Sequence, residues 1–400
     1  MKVTFLTGEF PPMQGGIADY TARLANHLAH EDVSPSVLIS RIYDQYRQDN
    51  VEKSDIPVFS DLSDWGIRCW PQTKQFLRRH QPDVLHIQYQ AAAFDLVGWV
   101  NWLPWFLKGW GHRPRIVTTF HDLRIPYLFP KAGPLREQTV LGLARYSDAV
   151  ICTNSEDATS LRENAWATHV REIPLANNIP VSPPANYDRA SWRAQYGLNE
   201  DDLVLAYFGF LNESKGGEDL IAILGVLVEA GHKATLLMIG GDVGDSDPSN
   251  QAYAQRVRHL ITDYQLESRI IFTGFVEASD VSAHLLAADV AVMPYRDGVS
   301  FRRTTLIAAL QHGLPLVTTS PTHPISLIQP NENMLLAAPK DVSALTQRII
   351  RIANDKALRV RLSQGAKQLG NQFDWATIAT QTKAVYQQLM QTREKNENTL

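Results

Sequence analysis

The feature that most constrains this chain is the alternation, from one end to the other, of short apolar runs with helical patterns. In the first half, apolar runs that predict strands occupy residues 3–7, 37–39, 84–87, 116–119 and 149–152. Helical patterns, such as residues 17–28, separate them. Because the runs are continuously apolar, both faces of each strand are expected to be buried, which is typical of parallel sheets covered by helices.

The alternation is interrupted at residues 179–184, Ile-Pro-Val-Ser-Pro-Pro, where the prolines disfavour both helix and sheet. A second series of predicted strands follows, at residues 203–208, 235–239, 269–272, 290–293 and 316–318. The 400 residues also exceed what one core holds, about 250–300 residues. We therefore predict an α/β protein of two doubly wound, Rossmann-like domains. One comprises residues 1–183 and a C-terminal helix, 374–392, that closes back onto it; the other comprises residues 184–373.

Composition narrows the class of protein. The formal net charge of −4 argues against a nucleic-acid-binding protein, which would usually be basic. Two cysteines, Cys69 and Cys152, cannot form a disulfide framework or a four-cysteine metal site. The opening apolar run indicates a strand rather than a signal peptide, and no window approaches the roughly 18 apolar residues of a membrane span. We predict a cytoplasmic protein, with a position at the inner face of the membrane left open.

A glycine pair connects the first predicted strand to the first helix. Residues 9–17 read Glu-Phe-Pro-Pro-Met-Gln-Gly-Gly-Ile, and Gly15 and Gly16 would let a ligand approach the backbone closely. The helix that follows offers unpaired N–H groups and the positive end of its dipole to a phosphate. The spacing is not the G-x-G-x-x-G of dinucleotide-binding proteins. The alternative interpretation is a tight strand-to-helix turn that binds nothing.

A histidine follows the predicted strand 116–119, in the sequence Phe120-His121-Asp122. Side chains at the carboxyl ends of parallel strands face the crevice where such folds bind ligands. His121 is therefore a candidate functional residue. The alternative is a histidine that only anchors the next loop.

A lysine loop follows the strand 203–208. Residues 209–217 run from Gly209 to Lys215 and two further glycines, at the expected start of a helix. A lysine and helical N–H groups together suit a phosphate. A lysine at this end of a helix opposes the dipole, which makes a purely structural role less favourable.

An arginine-rich segment follows the strand 290–293 and leads into a helix predicted at residues 306–312. It contains Ser300, Arg302, Arg303, Thr304 and Thr305. Paired guanidinium groups and hydroxyls before a helix again suit an anion. The alternative is that the arginines pair with Asp297 or another carboxylate. All four segments stand at strand carboxyl ends, so we expect them to face one cleft between the two domains and to hold a diphosphate there.

These segments resemble the retaining glycosyltransferases of family four. The likeness runs in order over nearly the whole chain, through Pro11, Pro12, Gly15, Gly16 and Ile17, His121 and Asp122, Gly209, Lys215 and Gly216, Ile239 to Gly241, Phe272 to Val276, Ala288, Asp289 and Pro294, and Gly313 to Val317. The resemblance implies the GT-B fold and a hexosyltransferase-like enzyme. It would transfer a sugar from a nucleotide-sugar donor to an acceptor, with retention of the anomeric configuration. Because the sequence offers no credible carboxylate metal site, we expect the enzyme to need no metal, and we expect no cofactor apart from the donor substrate.

The family also implies roles for single residues. The glycine loop and Lys215 would hold the donor phosphates, and His121, the candidate catalytic residue, would lie beside the donor sugar. Phe275 and Val276 would lie near the nucleotide base. The acceptor is left open among a glycan, a lipid-linked molecule and a small molecule.

The chain departs from the family at three positions. Phe210 stands where the family usually has an arginine. Ser300 and Ala308 stand where it usually has two glutamates, which contact the donor sugar and the ribose. Arg302 and Arg303 are additional cations in the same place, so the sequence resembles a divergent branch with a rebuilt donor site.

Two other classes of protein are also consistent with the sequence. A nucleotide-sugar-binding scaffold without catalysis would explain the absent glutamates. A nucleotide-sugar epimerase would share the architecture but would need no acceptor. A dehydrogenase is disfavoured because the dinucleotide fingerprint is absent.

Residues 99–110 contain four of the nine tryptophans. We interpret this stretch as a core helix that covers the first sheet and is interrupted at Pro104, because large aromatic side chains usually dominate cores. Peripheral membrane contact, or an acceptor site, is the alternative, since Lys108, Arg113 and Arg115 are near. The sequence Asp245-Ser246-Asp247 is interpreted as a turn rather than a metal site.

Overall fold

The computed structural model describes residues 1–13, 15–46, 55–123, 133–167, 169–177, 179–240 and 248–397. It divides the chain into two compact units. The first unit comprises Met1–Leu175 together with Trp375–Leu400, and the second comprises Ala176–Asp374.

The first unit is built on a parallel sheet. Its described strands are β1 (Lys2–Thr7), β2 (Ser34–Ser40), β3 (Val58–Leu62), β4 (Val84–Tyr89), β5 (Arg115–Phe120), β6 (Ala149–Cys152) and β7 (Val170–Glu172). They lie in the order β3-β2-β1-β4-β5-β6-β7, and every adjacent pair is parallel. The sequence order reverses between β1 and β4, which is the topological switch point where doubly wound sheets bind ligands.

Helices connect these strands. They are α1 (Gly16–Ala29), α2 (Cys69–His80), α3 (Leu103–Leu107), α4 (Gly133–Tyr146) and α5 (Ser155–Arg162). Helix α1 forms because its apolar residues recur on one face, and Leu24 and Leu28 of that face are fully buried. Helix α5 begins where the Asn154 side chain accepts a hydrogen bond from the Asp157 amide.

The second unit repeats the same topology. Its described strands are β8 (Leu203–Phe208), β9 (Ala234–Ile239), β10 (Ile270–Phe272), β11 (Val290–Met293), β12 (Leu316–Thr319) and β13 (Leu335–Ala337). They lie parallel in the order β10-β9-β8-β11-β12-β13. The switch point therefore lies between β8 and β11, the strands that precede the lysine loop and the arginine segment.

The helices of the second unit pack on this sheet. They are α6 (Arg189–Ala194), α7 (Gly217–Glu229), α8 (Pro248–Asp263), α9 (Ala278–Ala287), α10 (Thr304–Gln311), α11 (Val342–Asn354) and α12 (Lys356–Gly370). Alternate strand residues enter different apolar clusters: Leu205 joins one, and Val204 joins the other. The last helix, α13 (Trp375–Glu397), belongs to the first unit.

The boundary between the units lies before the proline-rich segment, at residues 175 and 176 rather than at 183 and 184 as predicted. Hydrogen bonds explain the difference. The Asn177 amide nitrogen donates to Phe373 O, and its side chain donates to Gln311 Oε1. Ser182 donates its backbone N–H to Ser282 Oγ at 3.0 Å. The proline-rich segment therefore belongs to the second unit.

Residues 99–110 do not form the interrupted core helix that the sequence predicts. A 3-10 helix, Val100–Trp102, leads into the short α3, and Pro104 stands in the first turn of α3, where its missing N–H costs nothing. Leu103 and Leu107 are fully buried, but Trp99 and Trp105 are exposed. The apolar residues therefore divide between the core and the surface.

Candidate functional site

In the second unit, the lysine loop and the start of α10 come together at the switch point. Gly209 follows β8 with φ of +123°, a conformation that favours glycine. A Cβ built on Gly209 would lie 3.4 Å from Lys215 Nζ and 3.2 Å from Thr305 Cγ2. Three residues that the sequence predicts as donor contacts, Gly209, Lys215 and Thr305, are thus neighbours.

The backbone around Lys215 is fixed from two sides. Asn212 Oδ1 accepts a hydrogen bond from the Lys215 amide at 3.1 Å and starts the 3-10 helix Glu213–Lys215. Gly216 has φ of +71°, and a Cβ there would overlap Pro294 O. The loop consequently packs directly against the segment that follows β11.

The Lys215 ammonium is partly buried and lies near another cation. Desolvation lowers its pKa, and the nearby Arg303 guanidinium lowers it further. Lys215 makes no ion pair with a carboxylate in the part of the chain that the structure describes. A desolvated cation of this kind is a favourable partner for an anionic ligand.

Arg303, in contrast, has a carboxylate partner within the protein. Its Nη2 lies 2.5 Å from Asp297 Oδ1 and 2.7 Å from Asp297 Oδ2, and its guanidinium stacks 3.8 Å from the centre of the Tyr295 ring. Arg303 therefore forms the pair with Asp297 that the alternative interpretation of the arginine segment predicted. The Arg302 amide donates to Ser300 Oγ at 3.4 Å, which places Ser300 within the same loop.

Helix α10 begins two residues earlier than predicted, at Thr304, and so includes Thr305 in its first turn. Arg303 at its N-cap makes no side-chain hydrogen bond to the first turn, and α1 and α7 likewise begin without a side-chain cap. Helices α2, α3 and α9 also lack one.

Ala308 is fully buried in an apolar cluster, so this position offers a ligand no polar group.

The segment predicted to lie near the base stands at the same sheet edge. Gly240 donates its N–H to Thr273 Oγ1 at 3.1 Å and forms an isolated bridge with Gly274. Gly274 has φ of +64°, and the turn leaves Phe275 85% exposed. Val276 is partly buried against the core. Phe275 thus offers a free aromatic face, as stacking on a base requires.

In the first unit, the two glycines of the predicted phosphate loop differ. A Cβ built on Gly15 would overlap the Glu9 carboxylate, whereas one built on Gly16 would meet no atom within 4 Å. A side chain at Gly15 would therefore require the end of the flexible Glu9 side chain to move, whereas the Gly16 face is open to a ligand. Burial raises the pKa of Glu9, a residue that sequence reasoning did not single out.

His121 lies at the carboxyl end of β5, as predicted, and its ring is oriented by the neighbouring strand. Its Nε2 is 2.8 Å from Gln88 Oε1, and the Tyr20 ring meets it edge-on at 4.7 Å. Burial lowers the pKa of His121 to about 3, so the ring is neutral at pH 7. Because a carbonyl oxygen only accepts, Nε2 carries the proton.

A second histidine, His86, lies two residues before Gln88 on strand β4. His86 is fully buried, with Nδ1 2.6 Å from Tyr386 Oη and Nε2 2.7 Å from Thr119 Oγ1. Burial, and secondarily His121, lower the pKa of His86 to about 3. Sequence reasoning missed Gln88 and His86, although two polar residues in the buried strand β4 were a signal that it contained.

Two further sequence predictions concern metal ions and the cysteines. Asp245, Ser246 and Asp247 lie outside the described residues. Within the described residues, no group of three or more histidine, cysteine, aspartate or glutamate side chains is arranged to hold a metal ion. Cys69 and Cys152 are buried thiols, and burial raises the pKa of each to about 12. None of the described helices is long and apolar enough to cross a membrane.

Comparison with known proteins gives full-length similarities. The chain is 22% identical to an uncharacterized glycosyltransferase, MJ1607, of Methanocaldococcus jannaschii, over 98% of this chain and 99% of that protein. Among solved structures, sucrose-phosphate synthase from Thermosynechococcus elongatus is 22% identical, with a TM-score of 0.70 over 98% of this chain and all of that one.

Anabaena HepE, solved in complex with UDP, is 19% identical, with a TM-score of 0.74 over 97% of this chain and all of that one. The same protein has been solved with UDP-glucose, at a TM-score of 0.65 over 99% of this chain and all of that one. Together with the two doubly wound units, these likenesses confirm the predicted GT-B fold class.

Two family models match successive parts of the chain. Glycosyltransferase family 4 matches residues 14–176, and glycosyl transferases group 1 matches residues 188–369. Since these models cover most of the chain, one after the other, the protein belongs to the family 4 glycosyltransferases and is a glycosyltransferase enzyme.

Proposed function

We propose that this glycosyltransferase uses a nucleoside-diphosphate sugar, with uridine diphosphate as the leaving group, and retains the anomeric configuration. One observation carries the donor assignment: Lys215 is desolvated, lacks a carboxylate partner among the described residues, and stands beside Gly209 and the first turn of α10. The UDP bound to HepE, a protein of the same fold, supports the choice of nucleotide.

The charges of the second unit suit a diphosphate. A bound diphosphate carries roughly two negative charges, to which Lys215 contributes one positive charge and the N-terminus of α10 about half of one. Arg303 adds less than a full charge because it shares its guanidinium with Asp297. Thr304 and Thr305 supply hydroxyl donors at the helix start, and Phe275 supplies a stacking face for the base.

In the proposed reaction, the bond between the anomeric carbon and the diphosphate oxygen breaks. Lys215 and the α10 N-terminus stabilise the negative charge that develops on the diphosphate. The acceptor hydroxyl attacks from the face that the leaving group vacates, and its proton goes to a diphosphate oxygen. His121, neutral at pH 7, acts as a hydrogen-bonding group beside the departing sugar rather than as a general acid.

The test is Lys215→Ala, with the exposed Lys233→Ala as the matched control. Loss of one charge-assisted hydrogen bond, about 1.5–3 kcal/mol, should lower kcat/KM for donor turnover by roughly 10- to 150-fold. Calorimetry should show weaker UDP binding by Lys215→Ala and unchanged binding by Lys233→Ala. Unchanged UDP affinity in a folded Lys215→Ala protein would exclude the donor assignment.

Two further measurements test the stereochemistry of the reaction and its independence from metal ions. NMR of the product should show the anomeric configuration of the donor, and turnover should persist in EDTA. An inverted product would contradict retention, and loss of turnover in EDTA would contradict a metal-independent reaction. These results are separate from the donor assignment, which the Lys215 variant tests.

A further inference from the structure

The first unit carries a surface patch of aromatic residues, two of them exposed and three half-buried, that the candidate site does not use. We call it the tryptophan patch and define it by five residues: Trp70, Trp99, Trp105, Phe106 and Trp110. Trp99 is 42% exposed and Trp105 is 49% exposed. Folded proteins seldom leave such large apolar side chains clustered in water unless the surface meets a partner.

The patch is one contiguous and ordered surface. The Trp70 ring contacts Trp99 at 5.7 Å, Trp105 at 6.4 Å and Phe106 at 5.2 Å between centroids. Trp70 Nε1 also donates a 2.7 Å hydrogen bond to Trp99 O, which links α2 to the segment before α3. Exposed aliphatic residues adjoin Trp70 and Trp99 in sequence, namely Ile67, Leu96 and Val97.

Cations border these rings. Lys74 Nζ lies 5.7 Å from the centre of the Phe106 ring and 5.5 Å from that of Trp110, and the Arg78 guanidinium lies 5.8 Å from Trp110. Lys108 and Arg145 both lie over the ring of Tyr146, which contacts Trp102, itself a neighbour of Trp105. None of these four cations forms an ion pair with a carboxylate of the described residues.

Two chemical properties therefore coincide on this surface: amphipathic aromatic rings and unpaired positive charge. Tryptophan is enriched where a bilayer meets water, because its ring is apolar and its N–H is polar. Lysine and arginine beside it keep their heads in water and are attracted to anionic headgroups. From this charge complementarity we infer that the tryptophan patch docks the protein onto the surface of an anionic lipid bilayer.

The inference does not depend on the proposed donor, so it is tested without one. The full-length protein is mixed with phosphatidylcholine vesicles, with or without phosphatidylglycerol, and sedimented. Binding should require phosphatidylglycerol, weaken as salt rises, and shift the tryptophan fluorescence to the blue as the rings leave water. Equal binding to both vesicles, or none to either, would overturn the inference.

An aromatic variant tests the apolar part. Trp99→Ala combined with Trp105→Ala removes the two most exposed rings of the patch and should reduce vesicle binding at least tenfold. Tyr264→Ala, which removes an exposed ring from the second unit, is the control and should bind like the wild type. Unchanged binding by the double variant would contradict docking through the patch.

A charge variant tests the electrostatic part without altering the rings. Arg78→Glu combined with Lys108→Glu should remove the preference for phosphatidylglycerol, with about a fivefold loss of affinity per cation removed. Lys233→Glu combined with Lys356→Glu makes the same change of charge elsewhere and should have little effect. If the Arg78 and Lys108 variant keeps vesicle binding but dissociates a dimer in light scattering, the patch binds a second copy of this chain, and the inference is wrong.

Discussion

Gln88 Oε1 accepts a hydrogen bond from His121 Nε2 at 2.8 Å, and this contact determines which tautomer the histidine adopts. With the proton held on Nε2, the lone pair of His121 is on Nδ1. Gln88 is thus a positioning residue for a ring that the family resemblance places beside the donor sugar.

Gln88→Glu is expected to raise the pKa of His121, because a carboxylate in place of the amide favours the imidazolium form. In NMR of protein labelled with ¹⁵N-histidine, wild-type His121 should be neutral and protonated at Nε2 at pH 7, and the variant should titrate at higher pH. The pH dependence of kcat/KM should shift with it. Gln387→Glu adds the same charge at an exposed position of α13 and should change neither signal; an unshifted His121 in Gln88→Glu would show that Gln88 does not control the ring.

Mutation can distinguish the role of Arg303 in UDP binding from its role in the ion pair with Asp297. Arg303→Ala should lower the free energy of unfolding by about 1 kcal/mol, through loss of the ion pair and the contact with Tyr295, and should weaken UDP binding by roughly tenfold. Asp297→Asn removes the same ion pair but leaves the guanidinium available, so UDP affinity should be maintained or increased. Calorimetry that finds equal losses of affinity in both variants would mean that the pair only orders the loop.

The two glycines of the first loop differ in what an added methyl group would meet. Gly15→Ala should cost the first unit less than about 1 kcal/mol, because its methyl group overlaps only the end of the flexible Glu9 side chain, which can turn aside. Gly16→Ala should fold normally, because the space at its Cβ is empty, but it should weaken donor binding if a phosphate approaches there. Gly111→Ala, also in open space, is the control, and a loss of more than about 2 kcal/mol in Gly15→Ala would show that the Glu9 side chain cannot turn aside.

Acid should destabilise the first unit. His86 and His121 have pKa values of about 3 when folded and about 6.5 when unfolded, so between these values the unfolded chain binds more protons. Their contribution to stability is complete above pH 6.5 and is lost as pH falls towards 3, at about 1.4 kcal/mol per pH unit for each histidine.

Urea unfolding at pH 7 and pH 5 measures this loss, and tryptophan fluorescence reports mainly on the first unit, since only Trp192 lies in the second. His121→Gln should reduce the difference in stability between the two pH values, whereas His232→Gln should leave it unchanged. A wild-type protein equally stable at both pH values would contradict the burial of neutral histidines.

The central strands could be predicted from sequence because they are continuous apolar runs. The strands that sequence reasoning missed are β3, β7 and β13, all at sheet edges. Strand β7 has two exposed charged residues out of three, and β3 contains Ser60 and Asp61. Strands β3 and β7 are paired on one side only and meet water, so their apolar signal is weak. Strand β13 is apolar and largely buried, but its three residues are too short a run to indicate a strand.

The candidate site was predictable from sequence only where its residues follow the same strand. Gly209 and Lys215 stand six residues apart after one strand, so the rule that ligands bind at strand carboxyl ends predicts their proximity. The contact of Gln88 with His121 joins two strands, and that of His86 with Tyr386 spans most of the chain. Such pairings depend on tertiary packing, for which local sequence patterns hold no information.

The contact between His86 and Tyr386 also has a consequence for biosynthesis. The second unit is one continuous segment, Ala176–Asp374, whereas the first unit needs a helix that is synthesised after that segment. Until α13 emerges, His86 Nδ1 lacks the hydroxyl that lies 2.6 Å away in the finished protein. A nascent chain can therefore complete its second unit while the first, although begun earlier, still waits for its closing helix.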